Sequence, residues 1–272
     1  MRSGSASSSG PAPPPIPPEF TWTEEPWGLR LQCIPLSAIA LHGWTTRELG
    51  IVGGTDPCEA QWRQLADTGA VARESIAAVH QVHGATVVDA AELRAGPRPR
   101  ADGLMTRDPS VLLTIRVADC VPLLLADTRL GVVAAVHAGW RGTAAGIAAA
   151  AVERLRHTHG SDPAELIAAI GPSIGPCCYT VGEDVRDAFR ASGHAEDSTR
   201  RWFQTGTRLR LDLWSANRDQ LAAAGVANAA VFVSGLCTAC HPAWFYSYRR
   251  EGAATGRLVG FIRAGRPIPS ER

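Results

Sequence analysis

The sequence has 272 residues, 45% hydrophobic and 19% charged, which is enough apolar material for one large α/β domain or two small ones. Its 27 basic and 26 acidic residues leave a net charge of +1, so no excess of either sign would attract nucleic acid or a membrane surface. The most apolar stretch, residues 111–126, is too short to span a bilayer and contains Arg116 and Asp119, so we expect a small-molecule partner.

Residues 1–20 are rich in Ser, Gly and Pro. Such a segment cannot bury enough apolar surface to offset the entropy lost on ordering, and it lacks the apolar run of a secretory signal. We therefore expect a disordered tail over 1–20, a single catalytic domain over 21–272, and a cytoplasmic location. The odd number of cysteines, 7, argues against a disulfide framework and favours reduced thiols.

Short runs rich in Val, Ile and Leu predict buried strands. In chain order these are Ile39–Leu41, Val111–Val117, Pro122–Ala126, Val132–Val136, Leu166–Ile170, Ala230–Val233 and Leu258–Ile262. Helices are predicted at Thr143–His157, Glu183–Ser192 and Leu213–Ala224. Strands that are apolar on both faces need cover on both sides, and the elements do not alternate strictly as βαβ units. The pattern predicts an α/β sandwich with a mixed sheet, and neither a Rossmann fold nor a barrel.

A candidate metal site lies in residues 117–142, where two apolar runs flank a polar DTRLG turn. A tight turn over Thr128 and Arg129 would pair Cys120 directly with His137 on one face of the sheet. The Cβ atoms of such a pair are roughly 5 Å apart, which lets one metal ion bind both side chains. His83, beside Gly84, is a candidate third ligand, and three protein ligands with one open position are typical of a catalytic site. The alternative is a buried thiol with two hydrogen-bonded core histidines.

Two further motifs each have a competing interpretation. The turn GWRGT at 139–143 precedes a predicted helix, so its N–H groups and Arg141 suit an anion, although an ordinary Gly-rich turn explains it as well. The segment CTACH at 237–241 matches the pattern of covalent haem attachment, which needs export. It could instead join Cys177 and Cys178 in a structural zinc site, but a vicinal pair is not the spacing of a familiar zinc knuckle.

The order of several motifs resembles that of the multicopper polyphenol oxidase (laccase-domain) family, whose members are also described as purine nucleoside phosphorylases. The resemblance covers nearly the whole chain after the tail. Its motifs are HGWTTR (42–47), QVHG (81–84), ADGLMT (101–106), ADCVPLLLAD (118–127), HAGWRGT (137–143), IGPSIGPCCYTVGEDV (170–185), LDLWSANRDQL (211–221), CT (237–238), FYSYRRE (245–251) and GR (256–257). Trp44 and Tyr246 stand where the family usually has Phe.

The resemblance implies a layered α/β/β/α sandwich with mixed sheets in a single domain. It implies metal ligands at His83, Cys120 and His137, with zinc expected and copper as the alternative. The implied reactions are phosphorolysis of adenosine, inosine, guanosine and methylthioadenosine, and hydrolytic deamination of adenosine, so purine nucleosides and phosphate are the expected partners. The family's other names imply two alternatives: copper-dependent polyphenol oxidation, and hydrolysis of a muramyl precursor in peptidoglycan editing.

Four other residues receive expected roles. Asp119 is a candidate proton shuttle, unless it orients His137 or caps a loop. Arg141 is the first candidate to hold phosphate and Arg47 the second, whereas His42 is expected to bind substrate or metal peripherally. Arg249 and Arg250 are expected to be structural or surface groups.

The histidine count disfavours one alternative function, and two others remain. A multicopper oxidase needs about ten His ligands, and this chain has 8 His in total. A cysteine hydrolase with Cys120 as nucleophile and His137 as base is another possibility, as is a nucleoside-binding module without turnover. Metal content distinguishes these functions. One zinc ion per chain favours the nucleoside enzyme, copper favours the polyphenol oxidase, and the absence of metal favours the cysteine hydrolase.

Overall fold

The computed structural model describes residues 11–52, 58–93 and 96–265. Its strands are β1 (Phe20–Glu25), β2 (Gly28–Cys33), β3 (Ala40–Thr45), β4 (Ile76–Ala77), β5 (Val87–Asp89), β6 (Gly103–Thr106), β7 (Leu112–Val117), β8 (Val121–Asp127), β9 (Val133–Ala138), β10 (Leu166–Ile170), β11 (Phe203–Gln204), β12 (Arg210–Leu211), β13 (Val231–Val233) and β14 (Leu258–Ala264). Its α-helices are α1 (Ile34–Ser37), α2 (Glu59–Gly69), α3 (Trp140–Ala144), α4 (Ile147–His159), α5 (Glu183–Ala191), α6 (Glu196–Trp202), α7 (Leu213–Ala223) and α8 (Tyr248–Glu251).

Two mixed six-stranded sheets form the centre of the domain. The first sheet has the order β1-β2-β3-β14-β7-β4, and the second has the order β13-β10-β8-β9-β6-β5. Strands β11 and β12 form a separate two-stranded ribbon. The first sheet is antiparallel except for its edge strand β4, which pairs in parallel with β7. The second sheet has an antiparallel centre and a parallel strand at each edge, β13 on β10 and β5 on β6.

The sheets stack face to face with helices on both outer sides. Side chains from both sheets share one buried cluster, which includes Leu31, Trp44, Leu113, Leu124 and Ala135. The outer face of the second sheet packs on α4, α5 and α7, and the outer face of the first sheet packs on α2. Neighbouring residues of β8 point into different clusters, so the strand is apolar on both faces. The predicted α/β/β/α sandwich is confirmed.

Each of the seven predicted strands overlaps an observed strand, and two of the three predicted helices coincide with α5 and α7. The predicted helix Thr143–His157 is instead divided into α3 and α4, because Gly146 between them has a φ of 79° that no helix contains. Other elements were not predicted: β1, β2 and α2 are partly exposed and lack a continuous apolar run, whereas β4, β5 and β6 have only two to four residues each.

The β8–β9 hairpin has a different register from the predicted one. His137 pairs with Pro122, so its predicted pairing with Cys120 is wrong. The turn is longer because the Asp127 carboxylate accepts the N–H groups of Arg129 and Leu130, at 2.8 and 2.7 Å, and Gly131 adopts a φ of 68°. The shift moves the pairing by two positions, which keeps Cys120 and His137 on one face as diagonal neighbours.

Of the predicted disordered tail, residues 1–20, the structure describes only residues 11–20. Residues 1–10 lie outside the described residues, as do 53–57, 94–95 and 266–272 of the expected domain. Residues 11–20 pack on the domain: the indole N–H groups of Trp22 and Trp244 donate to the carbonyls of Pro14 and Ala12, each at 3.2 Å. The described structure therefore begins upstream of the predicted boundary at residue 20. In the described parts of the chain, no helix combines the length and apolar character needed to cross a bilayer.

Candidate metal centre

One ligand atom each from His83, Cys120 and His137 lies within 4.8 Å of the other two. His83 comes from the turn between β4 and β5, Cys120 lies just before β8, and His137 is on β9. We call these three residues the His-Cys-His group. The rings of His83 and His137 meet edge to face, with centroids 4.8 Å apart. The three side chains predicted as ligands are therefore brought together.

Asp102 organises two members of this group from behind. Its buried carboxylate accepts the backbone N–H groups of His83 at 2.8 Å and Gly84 at 2.7 Å. This bonding stabilises His83 in a left-handed conformation with φ of 61°, which a residue with a side chain rarely adopts. The same carboxylate lies 2.8 Å from Nδ1 of His137. An Nδ1–H donated to Asp102 leaves the Nε2 lone pair of His137 free to bind a metal.

The thiol and imidazole titrate as a coupled pair. Burial alone would raise the pKa of Cys120, but His137 and His83 beside it lower the pKa to about 6. Burial alone would lower the pKa of His137, yet Cys120 and Asp102 raise that pKa to about 9. At neutral pH these values describe a thiolate next to an imidazolium. Metal binding at Nε2 would therefore release the proton of His137.

Gly139 supplies the space in which Cys120 reaches the histidines. Continuing the β8–β9 register by one pair sets Gly139 opposite Cys120. A Cβ atom on Gly139 would lie 2.9 Å from Sγ of Cys120 and 3.0 Å from Cδ2 of His83. Real Cβ atoms essentially never come within 2.9 Å of another atom, so a side chain here would displace Cys120 and crowd His83. The glycine therefore has a geometric role that the motif alone does not reveal.

The group fits a single metal ion with two nitrogens and one sulfur. Bonds of about 2.0 Å to nitrogen and about 2.3 Å to sulfur put two nitrogens and one sulfur in a tetrahedral site roughly 3.3–3.5 Å apart. The three atoms all lie within 4.8 Å of one another, so small side-chain movements would bring them to that spacing. The exposure of His83 leaves one side of the group open to solvent. Three ligands with an open side are the arrangement of a catalytic centre.

Asp119 is held by two other segments. Its Oδ1 accepts the hydroxyl of Thr238 at 2.6 Å, and its Oδ2 accepts the backbone N–H of Arg249 at 2.7 Å. The residue has a φ of 88°, so these bonds offset a strained backbone next to Cys120. Asp119 thus caps the start of α8, whereas Asp102 orients His137.

An aromatic and cationic surface lies near the group. Burial, the Cys120 thiolate and the Asp119 carboxylate raise the pKa of Tyr179, whereas the positive charges of Arg249 and Arg141 oppose this rise. All four groups therefore lie within electrostatic range of the Tyr179 hydroxyl. The guanidinium of Arg249 lies 5.2 Å from the ring centroid of Tyr179, and Arg141 is exposed and stacks on Trp140 at 4.3 Å.

Two predicted residues are engaged elsewhere. The buried ring of His42 accepts the N–H of Cys33 at Nε2 and bonds the carbonyl of Ala40 at Nδ1, and burial lowers its pKa to about 4. The guanidinium of Arg47 binds Glu251 and the carbonyl of Pro242, and it stacks on Tyr246. The structure therefore does not bring His42 or Arg47 to the His-Cys-His group, and both have packing roles.

Three residues near the His-Cys-His group were not predicted from the sequence. Asp102 bonds His137, Tyr179 lies within electrostatic range of Cys120, and Thr238 bonds Asp119. Asp102 could have been found, because a metal-bound histidine usually donates its other ring N–H to a carboxylate, and ADG at 101–103 is a polar motif beside a strand. Tyr179 and Thr238 belong to loops whose approach to β8 depends on the whole sheet. Arg249, expected to be structural, combines that role with proximity to Tyr179.

Comparison with known proteins gives consistent matches. The profile of the family described as multi-copper polyphenol oxidoreductase laccase matches residues 53–265. A purine nucleoside phosphorylase of Deinococcus radiodurans is 40% identical over 249 residues, which are 86% of this chain and 93% of that protein. Purine nucleoside phosphorylase YlmD of Geobacillus stearothermophilus is 42% identical over 209 residues, covering 74% of this chain and 76% of its own length.

Further matches come from an enzyme of a different name and from a solved structure. A protein called adenosine deaminase RL5, from an unknown prokaryotic organism, is 41% identical over 164 residues, or 60% of this chain and 62% of its own length. The crystal structure of YlmD from Geobacillus stearothermophilus superposes with a TM-score of 0.79 at 37% identity, covering 89% of this chain and 98% of that one. The chain therefore belongs to the laccase-like family described as multi-copper polyphenol oxidoreductases, and it is homologous to enzymes named purine nucleoside phosphorylase.

Proposed function

We propose that this protein is a zinc-dependent purine nucleoside phosphorylase that also deaminates adenosine. Adenosine, inosine, guanosine and methylthioadenosine are the proposed nucleosides, with phosphate as second substrate and the cytoplasm as location. The observation that carries the proposal is the convergence of His83, Cys120 and His137 on an open-sided site. The names of the homologous proteins support the substrate class.

The donor set favours zinc. Imidazole nitrogen and thiolate sulfur are both ligands of catalytic zinc sites, and a carboxylate behind a metal-bound histidine is a usual companion of zinc. Zinc bound there would supply a Lewis acid and an activated water molecule. The protein's contribution is to hold His137 in one tautomer through Asp102, and to keep Cys120 as a thiolate.

The remaining assignments concern substrate. The exposed guanidinium of Arg141, near Tyr179, is the proposed phosphate-binding group. Arg249 replaces Arg47 as the second candidate, because Arg47 is already bound to Glu251. Asp119 remains the proposed proton shuttle, since its carboxylate is adjacent in sequence to a ligand and is held in one position by Thr238.

A copper-dependent polyphenol oxidase is the second candidate, favoured by the family's description and by the donor set, because two histidines and one cysteine are also the ligands of a blue-copper site. Its chemistry needs clustered ligands for several copper ions, with imidazole prominent among them. Among the described residues, the only other group of three or more potential ligands contains four cysteines and no histidine. The geometry therefore supports nucleoside chemistry at a single-metal site more strongly than multicopper oxidation. Cysteine hydrolysis would need Cys120 free of metal, and hydrolysis of a muramyl precursor would use the same zinc site.

Metal-quantified protein incubated with inosine or adenosine, with and without phosphate, tests the proposal. By chromatography we expect hypoxanthine from inosine and adenine from adenosine, each only when phosphate is present. We also expect inosine from adenosine. Cys120→Ala should form none of these products. Cys58→Ser is the matched thiol control for that variant, because Cys58 is exposed just before α2. Arg141→Ala should raise the KM for phosphate more than the KM for inosine. Zinc-loaded protein that leaves both nucleosides unchanged would refute the nucleoside assignment and turn attention to muramyl precursors.

A further inference from the structure

Four cysteines that the proposed reaction does not use form a second cluster. The sulfur atoms of Cys177, Cys178, Cys237 and Cys240 all lie within 4.8 Å of one another. Sγ of Cys240 is 3.5 Å from that of Cys177 and 3.4 Å from that of Cys178. All four are free thiols. We call these residues the four-cysteine group.

We propose that the four-cysteine group binds one structural zinc ion as a tetrathiolate site. Zinc–sulfur bonds of about 2.3 Å in a tetrahedron put neighbouring sulfurs roughly 3.8 Å apart. The sulfur–sulfur distances of 3.4 and 3.5 Å are close to this edge length and well beyond the roughly 2.05 Å of a disulfide bond. The inference goes beyond the nucleoside chemistry and does not depend on it.

The sheet explains why two distant segments supply the ligands. Cys177 and Cys178 follow β10, while Cys237 and Cys240 follow β13, and these two strands pair in parallel. Both segments therefore leave the sheet at the same end. The backbone N–H of Thr238 donates to the carbonyl of Ser173 at 3.1 Å, which keeps the segments together beyond the strands. The C-x-x-C spacing of the second pair is common among zinc ligands.

Two groups beside the four-cysteine group can stabilise negative charge on its sulfurs. The backbone N–H of Gly175 donates to Sγ of Cys237 at 3.3 Å, the kind of bond that fixes metal-bound sulfurs. Zinc with four thiolates has a formal charge of −2. Arg250 counters this charge, since its Nη1 donates to the carbonyl of Ala239, the residue before Cys240, at 3.3 Å.

The geometry favours a single tetrahedral ion, such as zinc, over the multi-iron clusters and covalent haem that cysteines also bind. Clusters with several iron atoms spread their ligating sulfurs over different irons, whereas these four sulfurs surround one point. Soft thiolate ligands in a tetrahedron select zinc among the abundant divalent metals. Covalent haem attachment would need both sulfurs of the C-x-x-C-H motif to face the haem. Cys237 is buried at 3% exposure and faces the other cysteines, so the motif does not serve that purpose.

A zinc ion here would stabilise a weakly packed corner beside the His-Cys-His group. The local apolar cluster has only three buried members, Ile174, Cys237 and Ala239, and so small a core benefits from a metal cross-link. Thr238, between two of the cysteines, holds Asp119, and Tyr179 directly follows Cys178. The second zinc would therefore position residues of the first site without touching substrate.

Metal analysis of the full chain, purified with reductant, tests the proposal. We expect about two zinc ions per chain in the wild type and in Cys58→Ser, and about one in Cys177→Ser/Cys240→Ser. Cys120→Ala should keep the zinc of the four-cysteine group. A wild type with one zinc ion, lost completely in Cys120→Ala, would overturn the proposal even if nucleosides are turned over.

Two measurements on the wild type remain decisive if the cysteine variants fail to fold. Cobalt loaded into the four-cysteine group should give intense sulfur-to-metal charge-transfer absorption, because four thiolates bind it, whereas the His-Cys-His group contributes one. In the zinc protein, Cys177 and Cys240 should resist alkylation until a chelator is added, while the exposed Cys58 reacts at once. Rapid alkylation of Cys177 and Cys240 without chelator, or a mass lower by two hydrogens from a disulfide, would contradict the proposal.

Discussion

The two thiol-containing groups of this protein differ in how they are built. The His-Cys-His group is on and beside the central strands of the second sheet, with a buried carboxylate behind it and an open side. The four-cysteine group joins two loops around a small apolar cluster, and its ligands can complete a tetrahedron by themselves. A site that must bind substrate leaves one position free and depends on a rigid frame. A closed site supplies rigidity to loops that have little core of their own.

Asp119 and Thr238 connect the two groups. Asp119 precedes Cys120, and its carboxylate accepts the hydroxyl of Thr238, which lies between Cys237 and Cys240. Damage to either group can therefore affect the other through a single hydrogen bond. Variants that separate metal binding, stability and turnover are needed to distinguish the two roles.

The largest expected effect separates chemistry from stability. Cys120→Ala should lower kcat/KM for inosine phosphorolysis at least about a thousandfold, because it removes a ligand of the proposed catalytic zinc. Its Tm should stay near the wild-type value. Cys177→Ser/Cys240→Ser should do the reverse, lowering Tm by several degrees while turnover stays measurable. Equal losses of activity and Tm in both variants would contradict the assignment of catalysis to the His-Cys-His group and of stability to the four-cysteine group.

Asp102→Asn tests the frame behind the open site. Loss of the charged partner of His137 should weaken zinc binding at the His-Cys-His group about 10- to 100-fold, as measured by competition with a chelator. Asp119→Asn is the matched control, since its carboxylate contacts Thr238 and Arg249 but neither histidine. It should lower kcat with little change in zinc affinity. Equal zinc affinities of Asp102→Asn and the wild type would contradict this role of Asp102.

Gly139→Ala tests the close approach of Cys120 to the histidines. The new Cβ would lie 2.9 Å from the sulfur, so we expect about tenfold weaker zinc binding at this group and a comparable loss of turnover. The backbone of Gly139, with φ of −72° and ψ of 170°, accepts alanine without strain, so any loss of stability, about 1–3 kcal/mol, should come from the side-chain clash alone. Gly206→Ala, where a Cβ meets no atom within 4 Å, should match the wild type. Unchanged zinc affinity in Gly139→Ala would contradict the predicted clash.

The last effect concerns acid, which destabilises the fold through His42 without involving the metal site. Burial lowers the pKa of His42 to about 4, against about 6.5 in the unfolded chain. Unfolding therefore takes up a proton between these values, and the free energy of unfolding decreases as pH falls from about 6.5 to 4, by up to about 3 kcal/mol. In His42→Gln this pH dependence should be shallower when chelated protein is unfolded with urea. Identical slopes in both proteins would exclude this role for His42.

The two buried histidines illustrate how far sequence reasoning reaches. His42 and His137 both lie in apolar strands within motifs of the family, and both were expected to act at the site. In the structure one ring is bonded to the backbone of Cys33 and Ala40, while the other faces Cys120 and Asp102. The sequence offers no local difference that separates these outcomes, because each depends on what the neighbouring strands present. The same holds for Arg47, whose partner Glu251 is 204 positions away.

The sequence by itself determined the buried strands, the layered sandwich and the three side chains of the His-Cys-His group. Hydrophobic runs encode strands, and an even shift in the hairpin register leaves residues on the same face. The tertiary structure decided which carboxylate supports His137 and whether the four cysteines meet, both of which the sequence left open. Cys178 and Cys240 are 62 positions apart, and their sulfurs come within 3.4 Å because β10 and β13 pair in parallel. Local patterns specify strands and the faces of their side chains. Whether distant loops meet depends on which strands are neighbours in the sheet.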